Sequence, residues 1–172
     1  HVRGTGRRAP LGVELGALDE ACATVGEALR DADLAIVCAP VDVLPGLTRE
    51  ILALAPADCA VTDVGSTKQD VVAAAGGDER FVGGHPLAGA EVAGVDHARE
   101  DLFDDATWYL TPHGATSGLL LERVHRLVTG VGARPLIVEP ADHDRTMAAV
   151  SHLPHVLAKS PNGKFYLVAN RP

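Results

Sequence analysis

The sequence has few of the features that mark several large classes of protein. Aromatic residues make up 3% of its 172 residues, so a sandwich core built from aromatic layers is not expected. The formal net charge is −8 and no basic stripe is present, which argues against a nucleic-acid partner because phosphate binding needs clustered cations. No stretch approaches about eighteen consecutive apolar residues, and the first residues carry no signal-peptide core. We therefore expect a cytoplasmic protein with neither a membrane span nor a nucleic-acid partner.

Disulfide and metal-binding patterns are also missing. The cysteines Cys22, Cys38 and Cys59 are odd in number, widely spaced and without a Cys-x-x-Cys pair. They are predicted to be free thiols that pack as small core residues in a reducing compartment. His152 and His155 have the spacing of one helix face, but no His-Glu-x-x-His pattern or supporting carboxylate accompanies them. We expect no metal site.

Apolar runs and helix-like patterns alternate along the chain. The run 34–39 is continuously apolar and stops at Pro40, which is typical of a strand buried on both faces. Further strands are predicted at 60–64, 80–82, 107–111 and 136–138. Helical spacing predicts helices at 19–32, 42–55, 67–75, 119–129 and 142–158, the last interrupted by Pro154. This alternation predicts an α/β fold with right-handed crossovers and a mostly parallel sheet.

Two glycine-bracketed polar turns follow predicted strands. The first is Asp63-Val-Gly-Ser-Thr-Lys68, and the second is Gly83-Gly-His-Pro-Leu-Ala-Gly89. Because parallel strands end at one edge of a sheet, these turns are expected to lie together at that edge, where open α/β sheets bind ligands. His85 supplies an imidazole that titrates near neutral pH. A plain strand-end turn at His85 and a helix N-cap at Ser66 are the simpler alternatives.

Taken together, the motifs resemble those of the prephenate/arogenate dehydrogenases of tyrosine biosynthesis. Besides the two turns, the matching blocks are 101–103, 108–112, 143–144 and 150–155. The resemblance implies a Rossmann-like domain and an oxidative decarboxylation of prephenate or arogenate that depends on NAD or NADP. It also implies that full-length members of the family are homodimers.

The same resemblance implies functions for individual residues. His85 would act as the catalytic base that takes up the proton of the substrate's ring hydroxyl, and Ser66 would orient it. His152, His155 and Glu91 would bind the substrate. The cofactor would be bound at the strand ends by Arg7, Arg8, Pro40, Val41, Asp63, Gly65 and Ser66.

The sequence departs from the family's pattern at both ends. No strand with a Gly-x-Gly-x-x-Gly fingerprint opens the chain, and residues 1–8 align with the end of the family's second strand. There Gly6 replaces the usual acidic residue and two arginines follow, which favours NADP over NAD. The resemblance ends near Ala158. We therefore expect 1–141 to be an incomplete Rossmann-like domain without its first strand, and 142–172 to begin a helical dimerisation and substrate domain, with an unrelated tail from about 159.

Two other interpretations remain open from the residues. One is an enzyme like the β-hydroxyacid dehydrogenases, which share the strand-proline and Asp-x-Gly-Ser turns. The other is a non-catalytic remnant or ligand-binding module that uses the same pocket. Because the phosphate-binding glycines are missing from the sequence, we expect weak dinucleotide binding and little or no turnover from this chain.

Overall fold

The computed structural model describes residues 1–89 and 98–152, the last two of them by their backbone alone. The strands in chain order are β1 (Arg3–Thr5), β2 (Glu20–Cys22), β3 (Leu34–Val37), β4 (Ala60–Asp63), β5 (Phe81–Pro86), β6 (Thr107–Thr111) and β7 (Arg134–Ile137). The helices are α1 (Ala9–Glu14), α2 (Val25–Leu29), α3 (Leu44–Leu54), α4 (Gln69–Ala74), α5 (Gly118–Gly130) and α6 (Pro140–Met147), and a π-helical turn, Ala148–His152, follows α6. The predicted alternation of strands and helices is confirmed.

The strands form two sheets. β1 and β2 pair in parallel, and a separate sheet has the order β3-β4-β5-β6-β7. All pairs in the larger sheet are parallel except β5 with β6. No strand in the described ranges joins β1 to β3, as expected for a Rossmann-like sheet whose first strand is not in this sequence. The fold class is therefore an α/β domain with a mostly parallel sheet, as predicted.

The larger sheet is covered on both faces, which explains the uninterrupted burial of β4. On one face the buried residues of α3, which include Leu44 and Leu52, pack over Val61 and Phe81. On the other face, α5 presents Leu120, Val124 and Val128, spaced four residues apart, to Trp108 and Leu110. This two-sided core holds β4 and β5 in the middle of the domain, and the loops that follow them carry the site described below.

The N-terminal part differs from the prediction of one helix over 19–32. Glu20–Cys22 is instead strand β2, which pairs with β1. The helix is limited to α2, whose N-cap is Thr24; its side chain accepts a hydrogen bond from the Glu27 amide at 3.2 Å. Asp19, the first residue of the predicted helix, lies before β2, and its carboxylate accepts a hydrogen bond from the amide of Val2. A three-residue edge strand has too few positions to show a two-residue period, so the helical pattern was misleading here.

Three smaller differences follow from tertiary contacts. The strand predicted at 80–82 continues to Pro86 because it pairs with β6 over Gly83 to Pro86. The helix predicted from 142 starts at Pro140 and gives way to the π-helical turn after Met147. All three cysteines are free as predicted, but only Cys59 is a buried core residue, and Cys38 is exposed.

Some predictions concern residues outside the described ranges. Glu91, Pro154 and His155 lie outside the described residues, as does the tail from about 159. The domain boundary at 141/142 stays a prediction. Within the described ranges, no helix combines the length and the apolar character that crossing a bilayer requires.

Candidate functional site

The predicted site residues of the larger sheet lie where its parallel strands end. Pro40 and Val41 follow β3, Gly65 and Ser66 follow β4, and His85 is near the end of β5. Pairing of Val37 with Asp63, and of Thr62 with Val82, brings these strand ends to one edge. The structure therefore unites the two polar turns as the sequence predicts.

A buried ion pair connects the two turns. Asp63 and Lys68 are both fully buried, and the Lys68 ammonium donates to the Asp63 carboxylate and, at 2.8 Å, to the Gly84 carbonyl. The carboxylate also accepts from the amides of Gly65 at 2.8 Å and Gly84 at 3.0 Å. Burial lowers the pKa of the Lys68 ammonium, and the nearby Asp63 carboxylate opposes that shift. The pair thus fixes the loop after β4 against the residue that precedes His85.

This arrangement changes the interpretation of Asp63, which the resemblance placed among the cofactor-binding residues. Its side chain is directed into the protein and both carboxylate oxygens are hydrogen bonded to protein groups. We infer that any effect of this side chain on cofactor binding is exerted through the loop that it holds.

The two glycines before His85 are required by close packing. A Cβ at Gly84 would lie 2.4 Å from the Asp63 carbonyl oxygen and 2.9 Å from Thr62 Oγ1. A Cβ at Gly83 would lie 2.2 Å from Thr111 Oγ1. The glycine pair therefore lets β5 fit between β4 and β6, and so determines the position of His85.

The imidazole of His85 is hydrogen bonded to a second histidine that the sequence did not single out for catalysis. His85 Nδ1 lies 2.9 Å from His143 Nε2, and His143 Nδ1 lies 2.8 Å from Asp144 Oδ1. The ring of His143 is 1% exposed and also meets the Tyr109 ring edge-to-face, with centroids 5.2 Å apart. His143 and Asp144 belong to α6, so the contact joins residues 58 positions apart. In the sequence, the feature that could have pointed to His143 is the adjacent pair His143-Asp144 at the start of a predicted helix.

Asp144 is anchored by the start of α4. Its carboxylate accepts from the amides of Lys68 at 2.7 Å and Gln69 at 2.9 Å, and from Gln69 Nε2 at 3.3 Å. Partial burial opposes ionisation of the carboxyl, but the hydrogen bonds from Gln69, His143 and Lys68 together hold its pKa below the ordinary value. Asp144 is therefore a carboxylate at neutral pH, and it ties α6 to the loop after β4.

Other predicted residues have mixed outcomes. Ser66 is half-buried on the same loop as Lys68, and His85 is hydrogen bonded to His143. Ser66 is not the N-cap of α4, because that position is Lys68. The backbone of His152 lies in the π-helical turn. No group of three or more potential metal ligands occurs within 1–89 and 98–152.

The predicted cofactor residues outside this network are accessible. Arg7 and Arg8 are exposed in the turn after β1, next to Gly6, whose φ of +114° favours glycine. Pro40 and Val41 are also exposed, and the Val41 side chain leaves apolar surface at the sheet edge. Two guanidinium groups and an apolar strand end are a suitable set for the sugar, phosphate and ring parts of a dinucleotide.

Comparison with known proteins gives consistent matches. A family model described as "Prephenate dehydrogenase, nucleotide-binding domain" matches residues 5–137. The prephenate dehydrogenase of Bacillus subtilis (strain 168) is 33% identical over 168 residues, which cover 89% of this chain and 43% of that protein. This chain therefore spans less than half the length of that curated relative.

Two solved structures extend these matches to the fold. The arogenate dehydrogenase of Synechocystis has a TM-score of 0.83 and 28% identity, covering 95% of this chain and 63% of that one. The prephenate dehydrogenase of Aquifex aeolicus, solved in complex with hydroxyphenyl propionate and NAD+, has a TM-score of 0.80 and 31% identity, covering 91% and 57%.

Proposed function

Because this chain belongs to the prephenate dehydrogenase family, we propose that it forms the nucleotide-binding part of an enzyme that oxidises and decarboxylates prephenate or arogenate. The observation that carries the proposal is the placement of His85. His85 lies at the carboxyl edge of the sheet. The glycine pair that precedes it and the buried ion pair fix the backbone there, and its imidazole is hydrogen bonded to His143. Family membership also argues against the β-hydroxyacid-dehydrogenase alternative.

His85 is proposed to act as the base of the reaction. It would accept the proton of the ring 4-hydroxyl through Nε2 while the carbon that bears this hydroxyl loses hydride and the ring carboxylate leaves as CO₂. The electron pair of the broken carbon–carboxylate bond passes into the ring, which becomes aromatic, and the ring oxygen takes the proton back from His85, so atoms and charges balance. Imidazole suits this step because its proton affinity is matched to neutral pH. Ser66, His152, His155 and Glu91 are proposed to orient the base and bind the substrate.

A nicotinamide cofactor is proposed as the hydride acceptor, which is the chemistry it supplies when bound. Arg7 and Arg8, with Pro40, Val41 and the Gly65 turn, are proposed to hold it. The replacement of an acidic residue by Gly6, followed by exposed arginines, favours NADP over NAD. Titration of the chain with NADPH and NADH, followed by nucleotide fluorescence, tests this preference. Arg7→Ala should weaken NADPH binding more than NADH binding, and equal weakening of both would contradict the preference.

Single-turnover kinetics test the reaction itself, because slow chemistry is visible when the protein is in excess over the nucleotide. Prephenate and arogenate are each mixed with either nucleotide, and reduced nicotinamide is followed by absorbance. His85→Asn should lower the rate roughly 10²–10⁴-fold, the usual contribution of a general base. His125→Asn, on α5, is the matched control and should leave the rate unchanged. A His85→Asn rate equal to that of the parent chain would refute the assignment.

A further inference from the structure

The side chains of Asp144, His143 and His85 are hydrogen bonded in series, and we call these three residues the relay. The relay determines which ring nitrogens of the two histidines carry a proton. Each of its two contacts, at 2.8 Å and 2.9 Å, is short enough for a hydrogen bond and holds a single proton. An ionised carboxylate can only accept, so the proton between Asp144 and His143 belongs to His143 Nδ1. A neutral His143 then has its lone pair on Nε2, and this nitrogen must accept from His85 Nδ1. The lone pair of His85 is consequently on Nε2.

The ionised state of Asp144 does not depend on His143 alone. The amides of Lys68 and Gln69 both donate to its carboxylate, and these donors are backbone groups that cannot lose their protons. Asp144 is therefore a fixed hydrogen-bond acceptor. This makes the direction of the hydrogen bonds from His143 to Asp144 and from His85 to His143 predictable.

The surroundings restrict both rings. The planes of His85 and His143 are inclined by 74°, with centroids 5.1 Å apart, and Tyr109 packs against both from β6. The buried pair Lys68–Asp63 fixes the backbone next to His85, because it is hydrogen bonded to the carbonyl and the amide of Gly84. The titratable groups that these contacts place around His85 include His143 with Asp144, Tyr109, and, through the backbone of Gly84, the Lys68–Asp63 pair.

We propose that His143 and Asp144 are positioning residues that hold His85 with its proton on Nδ1 and its lone pair on Nε2. The proposal rests on the proposed function in one respect, because it is the use of His85 as a base that gives this tautomer a purpose. Free histidine prefers the opposite tautomer, with the proton on Nε2. The relay would therefore leave Nε2 of His85 unprotonated before any substrate binds, so that this nitrogen can accept the hydroxyl proton.

Nitrogen-15 spectroscopy tests the proposal without substrate or cofactor. Long-range ¹H–¹⁵N correlation spectra of the histidine-labelled chain, recorded at mildly alkaline pH, distinguish a protonated ring nitrogen from an unprotonated one. His85 is expected to show a protonated Nδ1 and an unprotonated Nε2, and its signals are assigned by their loss in His85→Asn. A protonated Nε2 on His85 in the unmodified chain would overturn the proposal, and this result requires no variant of the relay to fold.

His113 is an internal control with the opposite pattern. Its Nδ1 accepts from the Ala115 amide at 3.3 Å, and its Nε2 lies 3.1 Å from the Asp78 carbonyl oxygen. Its proton is therefore expected on Nε2. The two histidines should give opposite patterns in one spectrum.

Two variants of His143 separate the hydrogen bond from packing. His143→Phe retains an aromatic ring but offers His85 no acceptor, so His85 should shift towards the Nε2-protonated form while His113 stays unchanged. His143→Gln can direct its side-chain oxygen at His85 and should retain the Nδ1-protonated form. An unchanged His85 pattern in His143→Phe would contradict the relay.

Kinetics then connect the relay with the reaction. His143→Phe should lower the single-turnover rate by roughly 10–100-fold, a range typical of groups that orient a functional imidazole, with little change in the substrate concentration for half-maximal rate. His143→Gln should recover part of that rate. If the tautomers are as expected but the rate does not depend on His85, the relay stands and the proposed function fails. If the rate depends on His85 but its proton is on Nε2, the proposed function stands and the relay fails.

Discussion

Replacing Lys68 by methionine should destabilise the fold severely, although Lys68 lies in a motif that the sequence marks as functional. The lysine is fully buried and is hydrogen bonded to Asp63 and to the Gly84 carbonyl. Methionine matches much of its volume but leaves Asp63 as a buried anion with only backbone donors. Breaking a buried ion pair on one side costs about 3–5 kcal/mol in the free energy of unfolding. That is a large share of the roughly 5–15 kcal/mol that stabilises a typical domain.

Urea unfolding at pH 7 measures this effect. The chain has one tryptophan, Trp108, which is 3% exposed and packs in the core beside α5, so its fluorescence reports unfolding. With a urea dependence of about 2 kcal/mol per molar, the midpoint should fall by roughly 2 M.

The double variant Lys68→Met with Asp63→Asn is the decisive control. It removes both charges, so it should be more stable than Lys68→Met alone, even though a second native group is lost. Additive destabilisation in the double variant, or a loss of less than about 1 kcal/mol in Lys68→Met, would refute the view that this pair braces the site.

Two further predictions concern the same loops. Gly84→Ala should lower the free energy of unfolding by about 1–3 kcal/mol, because its Cβ would meet the Asp63 carbonyl. Gly46, on α3, has open space around it, so Gly46→Ala should be neutral or slightly stabilising in the same urea assay. Equal effects of the two changes would contradict the packing argument. The hydrogen bonds of Asp144 lower its folded pKa below 3.8, so they stabilise the fold above that pH and this contribution is lost as the pH falls through the folded pKa. Asp144→Asn should therefore be destabilising at pH 7 and progressively less so below pH 3.8, while Asp142→Asn, exposed on the same helix, should change stability by less than about 1 kcal/mol at either pH. A pH-independent effect of Asp144→Asn would show that its charge is not what stabilises the fold.

The elements that the sequence predicts well are those whose pattern reflects burial on the sheet. β4 is buried at every position, and the sequence predicts a strand there, at 60–64. α5 has buried residues at a four-residue spacing, which its sequence also shows. β2 was missed because its residues are mostly exposed and its partner, β1, lies seventeen positions away in register. Local pattern carries no information about such a pairing.

The site shows the same division. The two polar turns and His85 were predictable because the ends of parallel strands share one edge. The contact between His85 and His143 was not, since it depends on how α6 packs against α4 and β6, and no local pattern encodes that. The same holds for the buried carboxylate of Asp63. Its sequence context indicates an accessible polar turn, but Lys68 and two backbone amides enclose it.

The most direct test of the account is to observe His85 while a ligand binds. The ¹⁵N-histidine-labelled chain is titrated with 3-(4-hydroxyphenyl)propionate at millimolar concentrations in the presence of NAD+. If His85 is the base that faces the ring hydroxyl, its imidazole signals should move with ligand concentration, while those of His113, near the start of α5, stay in place. Binding that leaves the His85 signals unaffected would contradict the claim that this histidine belongs to the substrate site.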